Sequence, residues 1–160
     1  MLTLNDVWPL FGLRLGTPRL VLRPLRDDDL PALAEAVLSG IHDPARMPFA
    51  VPWTGAPPGE LAANTARWVW GRRSEVGADA WTVQFGIFAH DGAMLGAQDI
   101  SASRFADRRT VETGSWLRRD EQGRGYGLEA RATKEAFRRP GWELEVGGGP
   151  QAAAFLGVGS

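Results

Sequence analysis

Residues 112–127 read Glu112-Thr-Gly-Ser-Trp-Leu117-Arg-Arg-Asp-Glu-Gln122-Gly-Arg-Gly-Tyr-Gly127, and this stretch decides the fold. A strand-like run, Thr110 to Leu117, feeds glycines at alternate positions: Gly123, Gly125 and Gly127. A helical stretch follows from Leu128 to about Phe137, and Pro140 ends it. Such a junction points successive backbone N–H groups at one spot, beside the positive end of the helix dipole. That is an anion site suited to a diphosphate. Glycine lets backbone approach a ligand closely and permits positive φ, and Arg124 adds a fork for charge-assisted hydrogen bonds. The competing reading is a glycine turn that only caps a helix.

Spelling separates this turn from three nucleotide loops. No Gly-Lys-Ser or Gly-Lys-Thr ends it, as a Walker A loop requires. The glycines are spaced two apart throughout, whereas the dinucleotide fingerprint needs Gly-x-Gly-x-x-Gly in a parallel unit. No catalytic-loop or Asp-Phe-Gly motif accompanies it, as in a kinase.

Upstream, Trp81, Val83, Phe85 and Ile87 alternate with Thr82, Gln84 and Gly86, which predicts a strand. Asp91-Gly92 marks a turn, and Ala93 to about Ser103 predicts the next strand. After a loop around 107–109 comes Thr110–Leu117, so the three strands form an antiparallel meander. Further upstream, residues 19–25 predict a first strand, with Leu20 and Leu22 on one face and Val21 and Arg23 on the other. Asp27, Asp28 and Asp29 supply an N-cap for a helix whose apolar residues, Leu30, Leu33, Ala34, Val37 and Leu38, fall at helical spacing. Gly40 stops it. Residues 41–58 predict a proline-rich loop carrying Met47, Phe49 and Trp53, which either line an acceptor pocket or tuck the loop onto the core. Glu60 to about Arg73 predicts a second helix with Trp68 and Val69 on its packed face. Arg67, Arg72 and Arg73 fall mostly elsewhere and read as solvated. A last short strand is expected at 142–146. The fold class is a mixed α/β domain of the α+β type, with helices against a mainly antiparallel sheet.

The whole chain has 160 residues, which suits a single domain over 1–160. Eighteen basic and nineteen acidic side chains leave a net charge of -1, against a broad nucleic-acid or anionic-membrane surface. There is no cysteine and only two histidines, His42 and His90. Disulfides, a thiol nucleophile, iron–sulfur clusters and cysteine-ligated zinc are excluded, and a multi-histidine metal site is disfavoured. No signal-peptide pattern or long apolar run is visible, so a cytoplasmic protein is expected.

The segment Gln122-x-x-Gly125-x-Gly127, set between strand and helix, resembles the acyl-CoA signature of the GNAT N-acetyltransferases. Thr17-Pro-Arg-Leu-Val-Leu-Arg-Pro-Leu25, followed by Asp27-Asp-Asp-Leu-Pro31, resembles the opening of the RimJ/RimL-type subgroup. Glu112-Thr-Gly-Ser-Trp-Leu117 resembles the strand before the signature there, and the likeness spans residues 17–137 in the right order. It implies acetyl-CoA as co-substrate, with its diphosphate on Gln122, Gly123, Arg124, Gly125, Tyr126 and Gly127. It also implies pantetheine bonded along the strand holding Trp116 and Leu117. The implied reaction is direct acetyl transfer to a primary amine, on a small molecule or a protein N-terminus, with no metal and no covalent enzyme intermediate. Glu112 shares a strand face with Gly114 and Trp116, near the implied thioester, and is the candidate base; its competing role is an ion pair or a surface charge. Tyr126 is expected to pack against cofactor or helix rather than act as the acid. His42 and His90 read as loop and turn residues.

Residues 138–160 depart from the subgroup pattern. The resemblance implies a further strand, a helix with an Asn-x-x-Ser-like segment and two closing strands, and no residues match the last of these. The expectations are a truncated or frameshifted gene, a disordered ending, or a sheet completed by a partner chain. An unfinished edge would invite association, including a homodimer. A CoA-binding or interaction protein without full catalytic power is the alternative function.

Overall fold

Period-two alternation builds the centre of the molecule. In the computed structural model, which describes residues 1–49, 52–77, 79–108, 110–134 and 146–147, β3 (Ala80–Ala89) and β4 (Met94–Ser103) form a long antiparallel hairpin. Gly92 takes φ 92° in its turn, and the Asp91 carboxylate accepts the Ala93 N–H. β5 (Glu112–Leu117) pairs antiparallel with β4, from Gly96↔Leu117 to Ser101↔Glu112. On the other side, β2 (Leu20–Pro24) pairs with β3. The meander expected from the sequence is present.

The order among the described strands is β5-β4-β3-β2-β1-β6, every pairing antiparallel. β1 (Arg14–Gly16) was not anticipated, because three residues are too few to show a period. It follows a short helix, α1 (Leu4–Val7), and a 3-10 turn at Pro9–Gly12. Of the strand expected at 142–146, only Val146 is described. It forms β6 (Val146–Gly147) against β1, at the edge opposite β5. The rest of the 138–160 tail lies outside the described residues, and so does the end of the helix expected to reach Phe137.

The sheet buries both faces. Leu20 and Leu22 share one with Trp81, Val83, Phe85, Ile87 and Ile100, covered by the 3-10 turn at Leu10 and by Ala130 of α5 (Tyr126–Ala132). The other carries Phe88, Met94 and Ala97 against Leu33 of α2 (Leu30–Leu38) and Val69 of α3 (Pro58–Ser74). Trp68 packs here as expected.

Three local expectations are corrected. First, α2 begins after a 3-10 turn at Asp27–Asp29, and Asp29 makes no side-chain cap to the helix. Its carboxylate instead takes both Nη atoms of Arg23, at 2.7 and 2.8 Å, and the Arg26 N–H at 2.8 Å. A two-point fork to a guanidinium outcompetes a single bond to a helix N–H. Second, Arg73 is not simply solvated: it pairs with Asp27, donates to the Leu25 carbonyl and lies over the Phe11 ring. Third, the segment before β5 holds a one-turn helix, α4 (Phe105–Arg108), where a loop was expected.

Burial opposes ionisation of Asp29, but the bonds from Arg23 and the Arg26 N–H outweigh it and hold the carboxyl below its ordinary 3.8. A lowered folded value stabilises above that ordinary value, and the effect is lost as pH falls through the folded one. Asp29→Asn should therefore cost about 2 kcal/mol near neutrality, and the deficit should shrink in urea melts run toward about pH 2. Gly96 admits no side chain, since a Cβ there would lie 2.1 Å from the Trp116 carbonyl oxygen. Gly96→Ala should lower the melting temperature, with a cost of about 1–3 kcal/mol, and an unchanged Tm would show that β5 does not need this close approach.

Candidate functional site

The glycine turn sits where the sequence placed it, between β5 and α5, and its glycines divide in two. Gly123 and Gly125 take φ 79° and 83°, which side-chain-bearing residues rarely adopt. Gly127 is not left-handed; it lies in the first turn of α5. The N–H groups of Gly123, Arg124 and Gly125 make no hydrogen bond to another described residue. They stand before the first turn of α5, where backbone donors are intrinsically unpaired.

A turn built on glycine needs outside contacts to hold it. Gln122 Nε2 donates to the carbonyls of Ile41, at 2.7 Å, and Leu117, at 3.0 Å. The Arg119 N–H donates to Gly40 O. Just before β2, Arg19 donates to the Arg124 carbonyl and pairs with Glu129 at 3.0 Å, its guanidinium 4.5 Å from the Tyr126 ring centroid. The Thr17 hydroxyl also bonds Glu129. Burial works against Glu129 ionisation, but the Thr17 and Arg19 bonds hold its carboxyl below the usual range. Arg124 Nη1 pairs with Glu121, and Arg118 with Asp120, so both acids in the turn are matched by bases. Arg19 and Glu129 were not anticipated: they lie 110 residues apart, and each alone reads as a surface charge.

β5 is the outermost strand at its edge of the described sheet. Leu117 packs toward the α5 side, and Trp116 toward α2 and α3. Trp116 continues an aromatic run: its centroid is 6.4 Å from Trp53, Trp53 is 5.1 Å from Phe49, and Phe49 is 5.9 Å from His42. His42 Nε2 bonds Thr54 and its Nδ1 bonds the Asp43 carbonyl, so it braces the loop. Met47 stays exposed. His90 is an exposed turn residue, as expected, 3.2 Å from the Thr17 carbonyl.

Glu112 is exposed and lies at the start of β5, beside Ser101 and Thr82 in the register. These three line a cleft of about 290 Å³ with Arg72, Glu75 and Arg108. One row further along the same face, Gln84, Asp99 and Gly114 are in register. Gln84 reaches the Trp68 carbonyl, which sets this row beneath α3. Burial pushes Asp99 up to about 7, and Arg72 pulls the other way. Asp99 was missed, although two adjacent polar residues inside an apolar strand, Gln98 and Asp99, are a visible signal. Gln98 faces away, fully buried, and donates to Ala130 O and the Thr133 hydroxyl.

Among the described residues no group of side chains has a metal-binding arrangement, and no helix is long and apolar enough to cross a membrane.

Known proteins share this architecture. RimL, a ribosomal-protein alpha-N-acetyltransferase solved in complex with coenzyme A, superposes with a TM-score of 0.53 at 16% identity. The match covers 75% of this chain and 63% of that one. A GNAT-family acetyltransferase from Bacillus anthracis superposes with a TM-score of 0.54 at 14% identity, over 78% of this chain and 64% of that one. The chain thus spans less than two thirds of the length of either, and at such identities the likeness concerns the fold. Residues 19–147 match the family description Acetyltransferase (GNAT) domain, from Arg19 at the head of β2 through the glycine turn to β6, and the chain belongs to that family.

Proposed function

We propose that the protein transfers an acetyl group from acetyl-CoA to a primary amine, on a small molecule or a protein N-terminus, by direct attack. One observation carries the reading: the outermost described strand runs into a clamped turn whose N–H groups at Gly123, Arg124 and Gly125 make no hydrogen bond to a described residue. Those donors suit an anion at a helix start. A Cβ at Gly123 would meet nothing within 4 Å, so the turn is open where a diphosphate would lie. Neutralisation of Asp120 and Glu121 by Arg118 and Arg124 removes the charge that would repel it.

In this reading, Gln122, Gly123, Arg124, Gly125, Tyr126 and Gly127 hold the diphosphate. The edge of β5 at Trp116 and Leu117, outermost among the described strands, offers backbone groups to the pantetheine, in the manner of an added strand. Bound acetyl-CoA supplies an activated thioester. The chain's part is to position the amine and remove its proton, and Glu112, exposed at the cleft mouth, is placed to receive the entering ammonium.

Isothermal titration should show acetyl-CoA binding to the wild-type chain. Gly125→Val should weaken it by about tenfold or more, because the residue at φ 83° starts α5. Unchanged affinity in that variant would remove the turn from the binding site. Glu112→Gln should slow amine acetylation by up to about 100-fold while cofactor affinity holds; turnover at the wild-type rate would leave Glu112 a surface charge.

A further inference from the structure

We propose that Asp99 is the carboxylate that takes the proton from the acceptor ammonium, reached through the cleft between α3 and the start of β5. The assignment rests on the acetyl-transfer reading above. Its geometry comes from one face of the sheet. Thr82, Ser101 and Glu112 form the row that lines the cleft, and Asp99 lies one row inward, between Gln84 and Gly114. Successive same-face residues on a strand stand about 7 Å apart, so the carboxyl lies within one side chain's reach of the cleft.

Two features of that row point to a ligand. Gly114 contributes no side chain, and a Cβ there would meet nothing within 4 Å, so the edge strand leaves a gap beside Asp99. Trp116, backed by Trp53, bounds the gap on the far side. The second feature is the carboxyl itself. Asp29, on the same side of the sheet, is satisfied by an arginine fork and a backbone N–H. Asp99 makes no hydrogen bond or ion pair among the described residues, and it is half-buried. Its carboxyl therefore keeps its acceptor capacity beside the gap, and an ammonium entering there would pair with it.

The charged groups facing this region are Arg72 on α3, Glu75 at the C-cap of α3, Arg108 on α4 and Glu112 on β5. Arg72 acts on Asp99 directly and opposes the effect of burial, leaving a carboxyl that changes charge near pH 7. That is the range in which a general base works best. Glu112, exposed at the mouth, draws the cation in. Asp99 then takes one proton, turning R–NH3+ into R–NH2. The nitrogen lone pair attacks the thioester carbonyl, the N–C bond forms and the C–S bond breaks with its electron pair on sulfur. The second nitrogen proton goes to the thiolate, giving amide and CoA thiol, and Asp99 releases its proton to water.

The test uses the full chain. Acetyl-CoA titration comes first, then transfer to a fixed set of primary amines: a diamine, an aryl-ethylamine and a peptide with a free N-terminal serine. Wild-type kcat/KM should rise with pH along a limb near 7. Asp99→Asn should lose the limb and fall by about 100-fold with acetyl-CoA affinity unchanged, and Asp99→Glu should restore a shifted limb. An Asn variant with wild-type rate and limb overturns the assignment. So does a wild-type chain that binds acetyl-CoA yet acetylates none of the amines, which leaves the cofactor reading intact. Absence of acetyl-CoA binding overturns the cofactor reading itself. Carbon-13 titration of the wild-type carboxyl gives a check independent of variant folding, and a midpoint near the ordinary 3.8 would also overturn the assignment.

Discussion

The Arg19–Glu129 contact is the constraint on which the site depends. Glycine gives the turn the shapes it needs and also makes it expensive to order. Its side chains cannot anchor it, so the anchors come from elsewhere. A half-exposed ion pair is worth about 1 kcal/mol or less, and Arg19 is 45% exposed. The strength here lies in convergence. One guanidinium bonds Glu129 and the Arg124 carbonyl and lies over Tyr126, while Thr17 and the Arg19 N–H hold the second Glu129 oxygen. Gln122 does the same on the far side, tying the turn to the end of α2 and the end of β5. The turn is thereby fixed to both faces of the sheet before any ligand arrives, which lowers the ordering cost of binding.

β5 transmits this placement into the cleft. Its alternation sends Leu117 into the cluster under α5 and Trp116 into the cluster under α2 and α3. Gly96 lets the strand lie close at this point. A shift of β5 would move the backbone edge, the gap at Gly114 and the carboxylate at Glu112 together. One strand thus links the turn, the core and the cleft.

Much of this was legible in the sequence because the signals were local. Alternation in residues 81–87 and helical spacing from Leu30 to Leu38 found their elements, and the glycine spacing found the turn. The missed features depend on contacts across the chain. β1 is three residues long and shows its strand character only against β2 and β6. The Asp27–Asp29 run spells a cap, yet Arg23 captures Asp29 because its guanidinium engages both carboxylate oxygens at once. Arg19 and Arg73 look like solvated charges until their partners, 110 and 46 residues away, are folded beside them. The candidate residues of the turn and β5 could be listed from spelling, but Asp99 needed the register, which places Gly114 next to it.

Asp29 and Asp99 show how one fold sets two identical side chains apart. Both are withdrawn from water and both sit beside an arginine. For Asp29 the arginine closes a fork and a backbone N–H completes the set, so the charged form wins. For Asp99 the arginine acts at a distance without a hydrogen bond, so burial wins. The first arrangement stabilises folding near neutrality. The second costs stability there, because a carboxyl whose value is raised by folding is penalised increasingly as pH climbs from 3.8 toward 7. Asparagine at position 99 would avoid that penalty at nearly the same volume. A residue whose charge works against folding, beside a gap that a single glycine keeps open, fits a site shaped for proton transfer better than one shaped for packing.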